Sequence, residues 1–174
     1  AGNKTEEQTK AHTSEVPELV DDKKSEESKD EEGNPTKEPN VTVEKSEEDW
    51  TNKDVVIKIE LDPEVDPNGD YDIEYSKDGG ETWEPYDPEK GIVVEENQDV
   101  DVRLTEGENK GEGITITVDN IDKTLPTLKI KAEGTSNSIN VKADAKDEPS
   151  GIKEYTYYIG EKDAEGNIVW SEGI

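Results

Sequence analysis

Apolar residues alternate with polar ones in short runs from Val41 onwards. The run from Val55 to Leu61 has an aliphatic residue at every second position, which is the period of a strand with one buried face. Similar runs are separated by Gly-, Pro- and Asn-containing turns at intervals of about ten residues, the spacing that is typical of all-β sandwiches. The pattern therefore predicts an antiparallel, Greek-key β-sandwich.

The first group of alternating runs ends near residue 121. The predicted strands cover residues 41–43, 55–61, 71–75, 81–86, 92–95, 100–104 and 114–118. We expect one inner face to carry the aliphatic residues of 55–61 and 100–104. The other should carry Tyr71, Ile73 and Tyr75 together with the aliphatic residues of 114–118.

A second group of alternating runs begins after residue 122. Its predicted strands lie at 128–130, 139–145, 155–159 and 168–170. These strands are too few to close a sandwich, and they leave sheet edges and apolar faces uncovered. We therefore predict an incomplete second module, belonging to a longer protein, that folds partially or borrows strands from another chain.

The first 43 residues differ sharply in composition from the rest. Only three of the 32 Leu, Ile and Val residues, and none of the nine Trp and Tyr residues, lie within residues 1–40. Charged, proline-containing segments with so few apolar residues favour disorder. The predicted organisation is a disordered acidic linker at 1–43, an Ig-like sandwich at 44–121 and the incomplete module at 122–174.

Charge and composition exclude several classes of function. The net charge is −27, which repels nucleic-acid phosphates and anionic membrane surfaces. No apolar run approaches the roughly 18 residues that a membrane-spanning helix needs, so we expect no membrane insertion in this segment. The chain has no Cys, which excludes disulfides and thiolate metal sites.

The segment from Ser76 to Trp83 fits the pattern S-x-D-x-G-x-T-W. It resembles the Asp-box hairpin of sialidases and other all-β proteins. In such a turn the aspartate accepts backbone N–H groups, a glycine adopts positive φ, and the tryptophan packs beneath the hairpin. We interpret Ser76, Asp78, Gly80, Thr82 and Trp83 as a structural hairpin, because turn chemistry explains each of them.

Further motifs accompany this hairpin: W-T-N-K-D-V at 50–55, N-I-D-K-T-L-P-T at 120–127 and S-G-I-x-x-Y-T-Y from Ser150. Together they resemble tandem bacterial Ig-like and fibronectin type III-like modules of Gram-positive surface proteins. The resemblance covers residues 45–174. It implies a β-sandwich that serves as a stalk or adhesion module, with the Lys-Thr-x-Pro segment as the joint between modules.

Two acidic clusters are candidate calcium sites, because Ca²⁺ prefers several oxygen ligands. The first contains Asp66, Asn68 and Asp70, and the second contains Asp119, Asn120 and Asp122. The first cluster does not have the glycine and glutamate spacing of an EF-hand loop. Chance clustering is the alternative in a chain with 47 acidic residues. No other cofactor is expected.

No nucleophile motif, phosphate loop or metal-binding His set is found, so we expect no catalytic residues and no enzyme. The leading hypothesis is a non-catalytic, extracellular spacer module of a bacterial surface protein or filament. The alternative is an adhesion or binding module for a protein or glycan, such as a pilin-like subunit domain, in which Trp50 or Trp170 could stack on sugars. Neighbouring modules or copies of the chain are expected to pair through strand edges, of which Val41 to Lys45 is the most exposed.

Overall fold

The computed structural model describes residues 15–173, and the chain divides into two compact units between Ile121 and Asp122. Within these residues the fold is all-β apart from one short helix, as the alternating pattern predicts. The elements of the first unit are α1 (Asp22–Glu27), β1 (Val41–Lys45), β2 (Val55–Leu61), β3 (Asp72–Ser76), β4 (Glu84–Pro85), β5 (Ile92–Val94), β6 (Gln98–Glu106), β7 (Asn109–Lys110) and β8 (Ile114–Val118).

The first unit has two antiparallel sheets. One has the order β1-β2-β5, and the other has the order β4-β3-β6-β7 with β8 also paired to β6. Aliphatic residues from both sheets are buried together in one hydrophobic cluster, as expected when the inner faces of a sandwich interdigitate. Strand β1 lies at an edge of its sheet, which confirms its predicted edge position.

The strands are shared between the sheets differently from the prediction. In the structure β3, β6 and β8 belong to one sheet: Ile73 lies opposite Leu104, and Val102 lies opposite Ile114. Strand β2 pairs with β1 and β5 instead. The predicted pairing of faces was wrong because alternation identifies the apolar side of a strand but does not identify its neighbours.

The expectation of a disordered linker at 1–43 is wrong for residues 15–43, while residues 1–14 lie outside the described part of the chain. Residues 15–40, here called the strap, are bound to the first unit. The Leu19 side chain is 0% exposed and belongs to the hydrophobic cluster. Its backbone N–H donates to the Glu112 carbonyl at 2.8 Å. Val20 beside it is 5% exposed, and Val16 packs against the same cluster, so apolar burial contributes to holding an otherwise polar segment in place.

Asn40 ties the two ends of the strap together. Its backbone N–H donates to the Val20 carbonyl, and its side-chain oxygen accepts from the Val20 N–H, both at 2.8 Å. Its side-chain amide donates to the Glu18 carbonyl, also at 2.8 Å. These hydrogen bonds hold Leu19 and Val20 beside the start of β1.

Ion pairs reinforce the same segment. The Glu18 carboxylate lies 2.6 Å from the Lys24 ammonium and 2.7 Å from that of Lys37. Hydrogen bonds from these two lysines lower the pKa of Glu18. The Lys24 ammonium also lies 3.1 Å from the carboxylate of Glu112, which lies between β7 and β8. Gly111 permits the close approach, because a β-carbon there would collide with the Pro17 carbonyl oxygen.

The second unit contains two separate two-stranded sheets. Their strands are β9 (Thr127–Gly134), β10 (Ile139–Lys146), β11 (Gly160–Lys162) and β12 (Ile168–Trp170), paired β9 with β10 and β11 with β12. Large apolar side chains in β9, β10 and β12 are exposed, from Leu128 in β9 to Trp170 in β12. Two strands with an uncovered apolar face are marginal on their own.

The predicted strand at 155–159 is not formed, and β11 begins one residue later. Ser171 lies beside this segment: its backbone N–H donates to the Ile159 carbonyl at 2.8 Å, and its hydroxyl oxygen accepts from the Ile159 N–H at 2.9 Å. The Ser171 hydroxyl oxygen therefore takes the place of the main-chain carbonyl that would accept the Ile159 N–H in a regular strand pair. The periodicity of the tyrosines and Ile159 could not reveal this replacement.

We predict that Leu19→Ala destabilises the first unit by about 3 kcal/mol, because it removes a fully buried side chain and leaves a cavity. Leu125→Ala is the matched control, since Leu125 is 88% exposed. Urea unfolding followed by Trp fluorescence measures both variants. Equal midpoints for Leu19→Ala and the unaltered chain would show that the strap does not contribute to the core.

Candidate functional site: aspartate-locked turns

The hairpin from Ser76 to Trp83 is held by hydrogen bonds to one carboxylate. Asp78 accepts the Thr82 N–H with both oxygens, at 2.9 and 3.1 Å, and the Thr82 hydroxyl at 2.5 Å. The buried Ser76 hydroxyl donates to Asp78 at 2.7 Å and accepts the Gly80 N–H at 2.8 Å. Gly80 has φ of +89°, which only glycine adopts without strain. The structure thus brings the five residues of the motif together.

The electrostatics of Asp78 follow from these contacts. Hydrogen bonds from the Thr82 hydroxyl and backbone, and then from Ser76, lower the pKa of Asp78 to about 2. The side chain is exposed, so the carboxylate remains hydrated while it accepts these bonds. A carboxylate whose charged form is stabilised in this way is a poor general acid or base near neutral pH. The Asp78 carboxylate is instead suited to stabilising the turn.

Trp83 connects the hairpin to the neighbouring strand. Its indole N–H donates to the Gly80 carbonyl at 3.0 Å, and its ring lies 3.5 Å from the guanidinium carbon of Arg103 on β6. Arg103 also donates to the Glu74 carboxylate at 3.0 Å. A planar guanidinium can stack on an aromatic ring and bind a carboxylate at once, which a lysine cannot do equally well. The chain has 19 Lys and one Arg, and the arginine stands at this position.

A second kind of aspartate turn occurs three times among the described residues. The loops are D-E-E-G-N at 30–34, D-P-N-G-D at 66–70 and D-A-E-G-N at 163–167. In each loop the first aspartate accepts the N–H of the fifth residue, at 2.7 or 2.8 Å. The glycine has φ between +73° and +88°. The same five-residue device therefore closes turns in the strap, after β2 and between β11 and β12.

The first calcium candidate, which contains Asp66, Asn68 and Asp70, is one of these loops. The Asp66 carboxylate accepts the N–H groups of Asp70 at 2.7 Å and Tyr71 at 3.2 Å. Its oxygens thus face the backbone of their own turn. Asn68 and Asp70 are exposed on the loop.

The residues of the second calcium candidate make separate contacts. The Asn120 amide donates to the carbonyls of Glu47 at 3.0 Å and Asp49 at 2.8 Å. Asp119 is exposed. In the second unit, Asp122 accepts the hydroxyl groups of Thr124 at 2.6 Å and Ser150 at 2.7 Å. The hydrogen bond from the Thr124 hydroxyl has the largest effect and that from Ser150 the next largest, and together they lower the pKa of Asp122 to about 2.

Within residues 15–173, no three acidic or histidine side chains converge as a metal site would require. The acidic residues of both clusters are turn and loop residues, and sequence spacing alone could not separate that role from metal binding. For the first cluster, the recurrence of D-x-x-G-[N/D] at 30–34 and 163–167 is a sequence signal for a turn.

The three tryptophans occupy different environments. Trp83 is partly buried against Arg103, whereas Trp50 is 46% and Trp170 is 63% exposed. Trp170 lies in β12 on the same face as Ile168, which is also more than half exposed. Exposed aromatic and aliphatic residues grouped in this way are typical of interaction surfaces.

Comparison with protein-family models, curated proteins and solved structures gives no match to this chain. Among the described residues, no helix is both long enough and apolar enough to cross a membrane. The functional interpretation therefore depends on the geometry of the turns, the strap and the second unit.

We predict that the Asp78 hairpin contributes stability that depends on pH. The pKa of Asp78 falls from an ordinary value of 3.8 to about 2 in the folded chain, so its contribution is complete above pH 4 to 5 and is lost as pH falls towards 2. Thermal unfolding from pH 2 to 7 should show a smaller pH dependence in Asp78→Ala than in the unaltered chain. Parallel curves for the two proteins would contradict this role.

We also predict that Trp83 and Arg103 stabilise one another. A double-mutant cycle with Trp83→Leu and Arg103→Gln should give a coupling free energy of about 1 kcal/mol, the magnitude of a partly desolvated cation–π pair. Urea unfolding of the two single variants and the double variant measures it. Additive effects of the two substitutions would show that the stacking contributes nothing beyond packing.

Proposed function

We propose that this chain is a non-catalytic structural module that acts as a spacer in a bacterial surface protein or surface filament outside the cell. One observation carries the proposal: four aspartates of the described chain are bound to its own turns. Asp30, Asp66, Asp78 and Asp163 each accept backbone N–H groups. A carboxylate used in this way stiffens a loop.

The strap supports the same role. It binds the first unit through a buried leucine, an asparagine bridge and ion pairs that join Glu18, Lys24 and Glu112. These contacts fix the chain where it enters the sandwich, so that segment cannot act as a flexible tether. A module that transmits position along a stalk needs its entry segment to be fixed in this way.

Charge and composition agree with an extracellular setting. A net charge of −27 keeps the surface of the chain strongly hydrated. A cysteine-free chain fits bacterial surfaces that do not rely on disulfides. The Gram-positive surface modules that the sequence motifs resemble serve as stalks or adhesion modules, and resemblance of this kind supports the fold more strongly than the function.

The second candidate function is adhesion to a protein or glycan. The exposed pair Ile168 and Trp170 on one face of β12 favours it, because aromatic and aliphatic side chains at a surface offer contact area for a ligand. In this alternative the first unit supports the second unit, and β12 contacts the ligand.

An exchange experiment separates the two functions. In the parent protein on its own bacterium, residues 15–173 are deleted, or replaced by an unrelated β-sandwich of similar length. Binding of an antibody to a tag at the tip of the parent protein measures accessibility. A spacer predicts that deletion lowers accessibility and that the unrelated sandwich restores it.

A binding module predicts a different outcome of the same experiment. Accessibility of the tag would be unaffected, and attachment of the cells to their host surface would be lost and restored only by the original sequence. Trp170→Ala in the original sequence would also lower attachment. Either of these results would overturn the spacer proposal.

A further inference from the structure

Strands β9 and β10 form an amphipathic sheet with one uncovered apolar face. The face contains Leu128, Ile130, Ile139 and Val141, which are 57%, 63%, 72% and 57% exposed. Small residues complete it: Ala132 and Gly134, which are exposed, and Ala143 and Ala145, which are half-buried. The Ala145 N–H donates to the Tyr155 hydroxyl at 3.3 Å. A two-stranded sheet of this kind gains stability when another apolar surface covers the face.

The register of the two strands gives this face a particular shape. Every large side chain lies opposite a small residue: Leu128 opposite Ala145, Ile130 opposite Ala143, Val141 opposite Ala132 and Ile139 opposite Gly134. The large residues lie on β9 at one end of the sheet and on β10 at the other end. The face therefore has a ridge of large side chains at each of two diagonally opposite corners, and a hollow at each of the other two corners.

Such a face is complementary to itself. Two copies can meet face to face through a two-fold axis in the plane between the sheets, parallel or perpendicular to the strands. Either rotation exchanges the ridges and hollows, so Leu128 and Ile130 of each copy lie over small residues of the other. We propose that this face binds the same face of a second copy of the chain, forming an isologous dimer.

Charge favours the same contact. The opposite face of the sheet carries Lys129, Lys131, Lys142 and Lys146 with only two acids, Glu133 and Asp144. In a chain of net charge −27, this basic sheet is where two copies meet with least repulsion. The lysines point away from the contact and remain hydrated.

The contact is small. Two sheets packed about 10 Å apart and two strands wide bury less than the roughly 800 Å² per partner of a standard interface. We therefore expect a weak dimer that forms at high local concentration, as on a crowded surface. Because two acidic chains repel one another, added salt should strengthen the dimer.

The test compares neighbouring residues of β10 that face opposite sides. Val141→Asp places a carboxylate on the apolar face, and Asn140→Asp places one on the polar face of the same strand. Sedimentation velocity of the whole chain over a concentration series measures the dissociation constant. We expect Val141→Asp to weaken the dimer about tenfold or more, whereas Asn140→Asp has little effect.

A second variant guards against loss of the sheet in Val141→Asp. Ala132→Ile fills a hollow with a residue that favours strands, so the sheet remains and only the complementarity is lost. It should also weaken the dimer about tenfold. Circular dichroism of each variant checks that its strands persist.

Three outcomes would overturn the proposal. The first is a monomer at every concentration up to about 1 mM, which corresponds to negligible affinity. The second is a dimer that Val141→Asp and Ala132→Ile leave unchanged, which would place the contact elsewhere. The third is a dimer that salt weakens, which would indicate pairing of this basic sheet with an acidic surface of the other copy.

Discussion

Burial of Leu19 is the contact that joins the strap to the hydrophobic cluster of the first unit. Its two sheets supply aliphatic side chains from β2, β5, β6 and β8, and Leu19 joins them from outside every strand. The polar contacts of the strap are arranged around this residue. Asn40 fixes its backbone neighbours, and the ion pairs of Glu18 and Lys24 lie beside it. Each polar contact is modest in partly hydrated surroundings, so apolar burial supplies the main driving force.

Aspartate has the same role at several positions in the described part of the chain. Asp21 caps α1 by accepting the Lys24 N–H, and Asp30, Asp78 and Asp163 close turns in the same chemical manner. In each case a carboxylate satisfies backbone donors that would otherwise need water or another strand. Averaged over the chain, the acidic composition resembles that of a disordered segment. At these positions, however, the acidic side chains specify the local structure.

The apolar sheet faces of the two units differ in their exposure. In the first unit, two sheets cover one another, and few large apolar residues are exposed. In the second unit, β9 and β10 have the same alternation but their apolar face is open. A spacer that also contains a weak self-complementary face would associate laterally when its copies are crowded, without a dedicated ligand site. The proposed spacer role and the proposed dimer are therefore compatible, although each depends on different residues.

The sequence by itself determined the local features of this protein. The alternation of apolar residues located β2, β6 and β8, and the S-x-D-x-G-x-T-W pattern defined the hairpin that Asp78 locks, because both signals arise from neighbouring residues. Only the tertiary structure decided that β6 pairs with β3 and β8, that Arg103 stacks on Trp83, and that Leu19 enters the core. These contacts join residues far apart in the chain, and one buried leucine among charged residues has no period that could reveal it. The missed signal in the strap was the loop at 30–34, whose pattern recurs at 163–167. Turn chemistry is local and can be read from sequence, whereas strand partnership and burial depend on the free energy of the whole fold.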